Sequence, residues 1–122
     1  MGIALAIAAL GSMTVVVLGW MSLVGKLAPN HIAGIRTPYT RRNPGNWYAT
    51  HRAAAPLLIF GGVAALMTSL AFLPFALAGS VSDGLAVAVL IVIVGLLLVS
   101  AVGGWAYGTA AAKRGESQRD SS

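Results

Sequence analysis

The stretch PNHIAGIRTPYTRRNPGNWYATHR, residues 29–52, is the one long polar segment lying between two apolar blocks, and its reading decides the architecture. It holds both histidines, His31 and His51, four of the eight basic residues, three of the five prolines and one of the three tryptophans. On either side, residues 1–25 and 53–78 carry no charged side chain.

Working outward, each flanking block is long enough to cross a bilayer. A helix rises 1.5 Å per residue, so residues 1–25 extend about 36 Å against a hydrocarbon core of about 30 Å. This block stays apolar with no basic side chain before Lys26, so it reads as a retained helix rather than a cleaved signal segment. A third apolar block, residues 84–108, follows the five-residue turn GSVSD, which is too short for anything but a tight antiparallel return. Over 122 residues, 57% are hydrophobic and only 9% charged, far from the quarter or so expected of a soluble domain. The sequence therefore predicts an all-α integral membrane protein with three transmembrane helices, at about residues 2–25, 56–78 and 84–108, in a single domain over residues 1–108. A motif loop over residues 26–55 and a polar tail over residues 109–122, solvated and partly disordered, complete it.

Local signals divide the loop. Pro29-Asn30 ends the first helix, and Thr37-Pro38 is extended or a turn because the proline ring disfavours the α region for the residue before it. Asn43-Pro44 starts a helix, with Asn43 as N-cap and Pro44 at the first helical position. On it Trp47 and His51 share a face, as do Tyr48 and Arg52, which suits a short interfacial helix at headgroup level before the second crossing. Pro56 predicts a kink or fresh start between the two, and Pro74 a bend near the far end. Ser82 or Asp83 caps the third helix.

Small residues recur every fourth position at Ala4, Ala8 and Ser12, at Gly61, Ala65 and Ser69, and at Ser100, Gly104 and Gly108, a spacing that permits close helix approach. Gly61, Ala65, Ser100, Gly104 and Gly108 are the helix-packing candidates. Basic residues border the central loop and the tail, whereas the other side holds only the amino terminus and Asp83. By the positive-inside rule the loop and C-terminus face the cytoplasm and the N-terminus lies outside, and Trp20, Trp47, Tyr48, Trp105 and Tyr107 all fall at the inner interface.

The chemistry available is narrow. There is no cysteine, no carboxylate in the segment of His51 to complete an acyl-transfer triad, and no set of neighbours to turn His31 and His51 into a metal shell. No ionisable residue lies within the crossings, as an ion-coupled carrier would need. An enzyme, a metal site and a cofactor are not expected, and the bordering positions of the charges argue against nucleic acid. The arginines offer more. Guanidinium forks bind phosphate bidentately, so Arg41 and Arg42 are candidates for anionic lipid headgroups, and Arg36 for a headgroup or a specific ligand.

The run Gly34-Ile35-Arg36-Thr37-Pro38-Tyr39-Thr40, followed by Trp47 and the triplet Thr50-His51-Arg52, resembles the signature loop of the SdpI family of bacterial membrane proteins. The resemblance makes Arg36, Thr37, Pro38, Trp47, His51 and Arg52 the motif residues. It implies a non-enzymatic protein of the bacterial plasma membrane that confers tolerance to a membrane-active peptide, or signals its presence. Such a peptide, or a soluble repressor held at the membrane, is the partner it implies. Between the two halves of the motif this chain carries Arg41-Arg42-Asn43-Pro44-Gly45-Asn46. A different expectation follows from the small-residue stripes alone: a small accessory subunit of a larger membrane complex, or a homo-oligomer.

Overall fold

A computed structural model describes residues 2–121. Four helices account for the architecture: α1 (Gly2–Leu23), the short α2 (Pro38–Arg42), α3 (Pro44–Leu77) and α4 (Asp83–Ser121). α1, α3 and α4 are each long and apolar enough to cross a membrane, so the chain is an all-α, multi-pass membrane protein. α3 runs between α1 and α4, which meet each other far less than either meets α3.

The two apolar crossings that end in loops end by the same device. At the end of α1, Gly25 takes φ +73° and the Lys26 amide reaches back to the Met21 carbonyl at 2.8 Å. After α3, Gly79 takes φ +75° and the Ser80 amide bonds Phe75 at 2.9 Å. A left-handed glycine two residues beyond the last helical one lets the chain reverse while satisfying carbonyls that would otherwise lack partners. α4 restarts at once: the Leu85 amide donates to the Ser82 hydroxyl at 3.2 Å, so Ser82 rather than Asp83 supplies the cap.

Two expectations about helix length are revised. α3 is continuous from Pro44, with no break at Pro56, so the interfacial segment and the second crossing are one helix of 34 residues, about 51 Å long. The carbonyl that Pro56 leaves without a donor is that of Arg52, which lies at an exposed residue outside the apolar stretch, where water can satisfy it. α4 likewise runs through Ala110-Ala111-Ala112 to Ser121, so the described part of the tail is helical. Alanine is the best helix former, and a side-chain contact described below ties this extension to the loop.

Packing changes character along the molecule. Away from the motif loop, Leu5, Ala65, Val89 and Ile93 form a buried core, flanked by Phe72, Leu73 and Leu97. Toward the loop, contact is made through small residues. A Cβ at Gly104 would meet that of Ala54 at 3.5 Å, and one at Gly61 would overlap the Ser100 side chain. On the α1 side, Gly19 lies against Ile59 and Gly62 against Val16. The buried hydroxyls of Ser12, Ser69 and Ser100 donate to carbonyls four residues earlier, at 2.7, 2.8 and 2.6 Å, so they satisfy themselves and need no partner helix.

Candidate functional site

The motif folds as a cap over the first turns of α3. Asn43 is extended and its Oδ1 accepts the Asn46 amide at 2.8 Å, so the helix starts where Asn43-Pro44 predicts. Trp47 and His51, four residues apart, then point under the loop rather than toward headgroups: each is 1% exposed. Their rings stack with centroids 4.2 Å apart at an interplanar angle of 29°. Trp47 Nε1 donates to the Leu27 carbonyl at 2.8 Å, which pins the loop's entry.

His51 pins its middle. The Ile35 amide donates to His51 Nε2 at 2.8 Å, and His51 Nδ1 lies 2.7 Å from the Trp47 carbonyl. An amide donor at Nε2 requires that nitrogen to be the unprotonated one, which assigns the hydrogen to Nδ1 and the neutral tautomer to the ring. With both nitrogens committed to backbone, the imidazole has no lone pair left for a metal and no position for proton transfer. Gly34, at φ +105°, brings the chain across these rings: a Cβ there would fall 2.6 Å from His51 Nε2 and 3.2 Å from Trp47. Only glycine fits both the backbone angle and the space.

The rest of the loop is closed by short side chains. Asn30 Oδ1 accepts the amides of Ile32 and Ala33 at 2.8 and 2.7 Å. Thr37 is extended, as expected before proline, and caps α2 in a reciprocal box with Thr40: each hydroxyl accepts the other's amide, at 3.2 and 2.9 Å. Thr40 Oγ1 also donates to the Ile35 carbonyl at 2.8 Å, and Asn46 Nδ2 to the Tyr39 carbonyl at 3.0 Å. Sequence reasoning missed Gly34, Thr40 and Asn46 as site residues. Thr-Pro is itself a cap followed by a first helical position, the signal that would have placed α2.

The arginines separate into two groups. Arg36 Nη1 donates to the His31 carbonyl, so Arg36 braces the loop, and exposed His31 serves through its backbone. Exposed Arg52 brings Nη2 to the end of α1, 3.5 Å from a Cβ built on Gly25, where the partial negative charge of a helix C-terminus favours a cation. Arg41 and Arg42 are exposed and line an open groove of about 460 Å³ with Asn30, His31, Pro44 and Trp47. An apolar cavity of about 190 Å³ lies beneath the loop, walled by Leu18, Leu27, Ile35 and Leu58, with Ser22 and His51 as its polar members.

Two contacts tie this cap to α4. The Tyr39 hydroxyl donates to Glu116 Oε2 at 3.1 Å, and the Lys113 ammonium sits 5.2 Å from the centroid of the Tyr39 ring. Burial of Tyr39, with the Glu116 acceptor and its charge adding to it, pushes the phenol above the ordinary tyrosine value. Further in, Gly108 passes so close to Thr50 that a Cβ would lie 2.5 Å from the Thr50 carbonyl oxygen. Thr50 is fully buried, and its hydroxyl has no hydrogen-bond partner among the described residues.

No curated protein and no solved structure matches the chain. The model of the SdpI/YfhL protein family matches residues 26–107, a span that takes in the whole loop, α3 and α4 as far as its exposed aromatic pair Trp105 and Tyr107. The Gly34 to His51 arrangement lies wholly inside that match, and the chain belongs to the SdpI/YfhL protein family.

Proposed function

We propose that this protein is a non-enzymatic tolerance factor of the bacterial plasma membrane, protecting its cell against a membrane-active peptide or signalling that peptide's presence, with the motif loop and C-terminus cytoplasmic. The family match over the loop and the two helices that hold it carries this reading. The architecture supports it: His51, the one buried imidazole, is spent on holding backbone, so the loop presents a shaped surface instead of reactive groups. Lys and Arg on the loop and tail support the orientation.

Deleting the gene and exposing the strain to membrane-active peptides tests the proposal. Increased sensitivity, restored by the intact chain but not by His51→Ala present at equal level, is the expected result. A deletion strain no more sensitive than its parent overturns it.

A second reading, an accessory subunit, is favoured by a specific observation. The outward face of α4 carries an apolar groove of about 410 Å³ around Val87, Ile91, Gly95 and Leu98, and a Cβ on Gly95 would meet nothing within 4 Å. Purification in mild detergent separates the two, because a stoichiometric subunit elutes in a large complex with its neighbours.

A further inference from the structure

We propose that the groove between α2 and α4 binds the phosphate of an anionic phospholipid, held between Arg42 and Lys113. The groove has a volume of about 570 Å³ and is lined by Pro38, Tyr39 and Arg42 from α2 and by Trp105, Thr109 and Lys113 from α4. Trp105, Thr109 and Lys113 repeat every fourth residue and so form one face of α4 that leads out of the membrane.

Depth identifies the ligand's source. Trp105 is 47% exposed and Tyr107 53% exposed at the end of the apolar run, the position of an interfacial aromatic belt. Lys113 lies two turns beyond, and side chains on a helix lean toward its N-terminus, here back toward the bilayer. Its ammonium therefore comes down beside the groove, 5.2 Å from the Tyr39 ring centroid, while the Arg42 guanidinium stands 6.0 Å from the same centroid.

The charges are available. Beyond these contacts with the Tyr39 ring, neither Arg42 nor Lys113 has a hydrogen-bond or ion-pair partner among the described residues. Glu116, the carboxylate in the groove, already accepts the Tyr39 hydroxyl at 3.1 Å and lies about three turns beyond Trp105 along α4. Thr109 lines the groove between them. Two free cations and an indole at headgroup level match a phosphodiester whose acyl chains lie along the exposed apolar face of α4. This site does not rest on the tolerance reading, and its test measures lipid alone.

Full-length protein carrying retained lipid, examined by native mass spectrometry with phosphatidylglycerol or phosphatidylcholine supplied, is the measurement. The expected result is preferential retention of phosphatidylglycerol, weakened about fivefold by Arg42→Gln or Lys113→Gln and about thirtyfold by the pair. Lys113→Arg restores it. Arg114→Gln, an exposed cation outside this groove, leaves retention unchanged. Equal loss in Arg114→Gln would show diffuse surface attraction and overturn the proposal. So would phosphatidylcholine retained as well as phosphatidylglycerol, or displacement of the lipid by millimolar inorganic phosphate, which would reassign the groove to a soluble anion. Circular dichroism confirms that each variant keeps its helices, and a loss in Lys113→Arg as large as in Lys113→Gln also counts against the site.

Discussion

Gly34 lies directly over His51, with room for a hydrogen but not for a methyl group: a Cβ would sit 2.6 Å from Nε2, the atom that accepts the Ile35 amide. The loop's left-handed backbone and its hydrogen bond to the helix thus depend on the same few cubic ångströms.

Gly34→Ala is therefore expected to destabilise more than Gly25→Ala, although both glycines have positive φ. At Gly25 only the backbone preference is lost, about 1 kcal/mol, because the nearest atom is the movable end of Arg52 at 3.5 Å. At Gly34 the clash adds to that cost and should bring it to about 2–3 kcal/mol. Thermal unfolding of the two variants in the same detergent checks the order.

His51→Ala leaves the Ile35 amide without its acceptor and opens space beside Trp47. A buried donor left unsatisfied costs about 1–3 kcal/mol. Hydrogen exchange should show it locally, with faster exchange at Ile35 and Leu27's neighbours while the core around Leu5 and Ile93 stays protected.

At the α3–α4 crossing, Gly108→Ala and Gly115→Ala should move in opposite directions. The first places a methyl 2.5 Å from the Thr50 carbonyl and 3.0 Å from the Ala54 Cβ, forcing the helices apart at about 1–3 kcal/mol. The second meets nothing within 4 Å and replaces the poorer helix former, a gain of up to about 1 kcal/mol. Denaturation midpoints of the two variants decide this.

The Tyr39 contact predicts an alkaline transition. Its phenol is raised above the ordinary value, so the neutral hydroxyl is the form the fold favours. The stabilisation is fully present below the ordinary tyrosine value of about 10 and is lost as pH rises through the higher folded value. Exchange of the α4 extension near Glu116 should then quicken, and Tyr39→Phe should show the quickened rate already at neutral pH.

The three crossings were legible because composition alone requires them, and Asn43-Pro44 announced the start of α3 through cap chemistry. The loop's interior was not. Trp47 and His51 share a helical face, and periodicity gives that, but whether the face meets lipid or protein depends on Ile35, sixteen residues from His51, and Leu27, twenty from Trp47. Arg36 looked like a ligand fork because its partner is a backbone carbonyl, invisible to any reading of side-chain types. Pro56 suggested a break, yet a single missing donor at the membrane's edge is too small a loss to interrupt a helix packed on both sides.

The continuity of α3 has a mechanical consequence. Trp47 and His51 sit on the same continuous helix that crosses the bilayer, so movement of the buried part of that helix is passed on to the loop. A tilt of roughly 10° about the helix midpoint sweeps Trp47 through about 3–4 Å, more than the slack of any hydrogen bond holding the cap. Whatever thins or crowds the bilayer around α3 is thereby felt as displacement at the other end of the lever, on the surface where Arg41 and Arg42 stand.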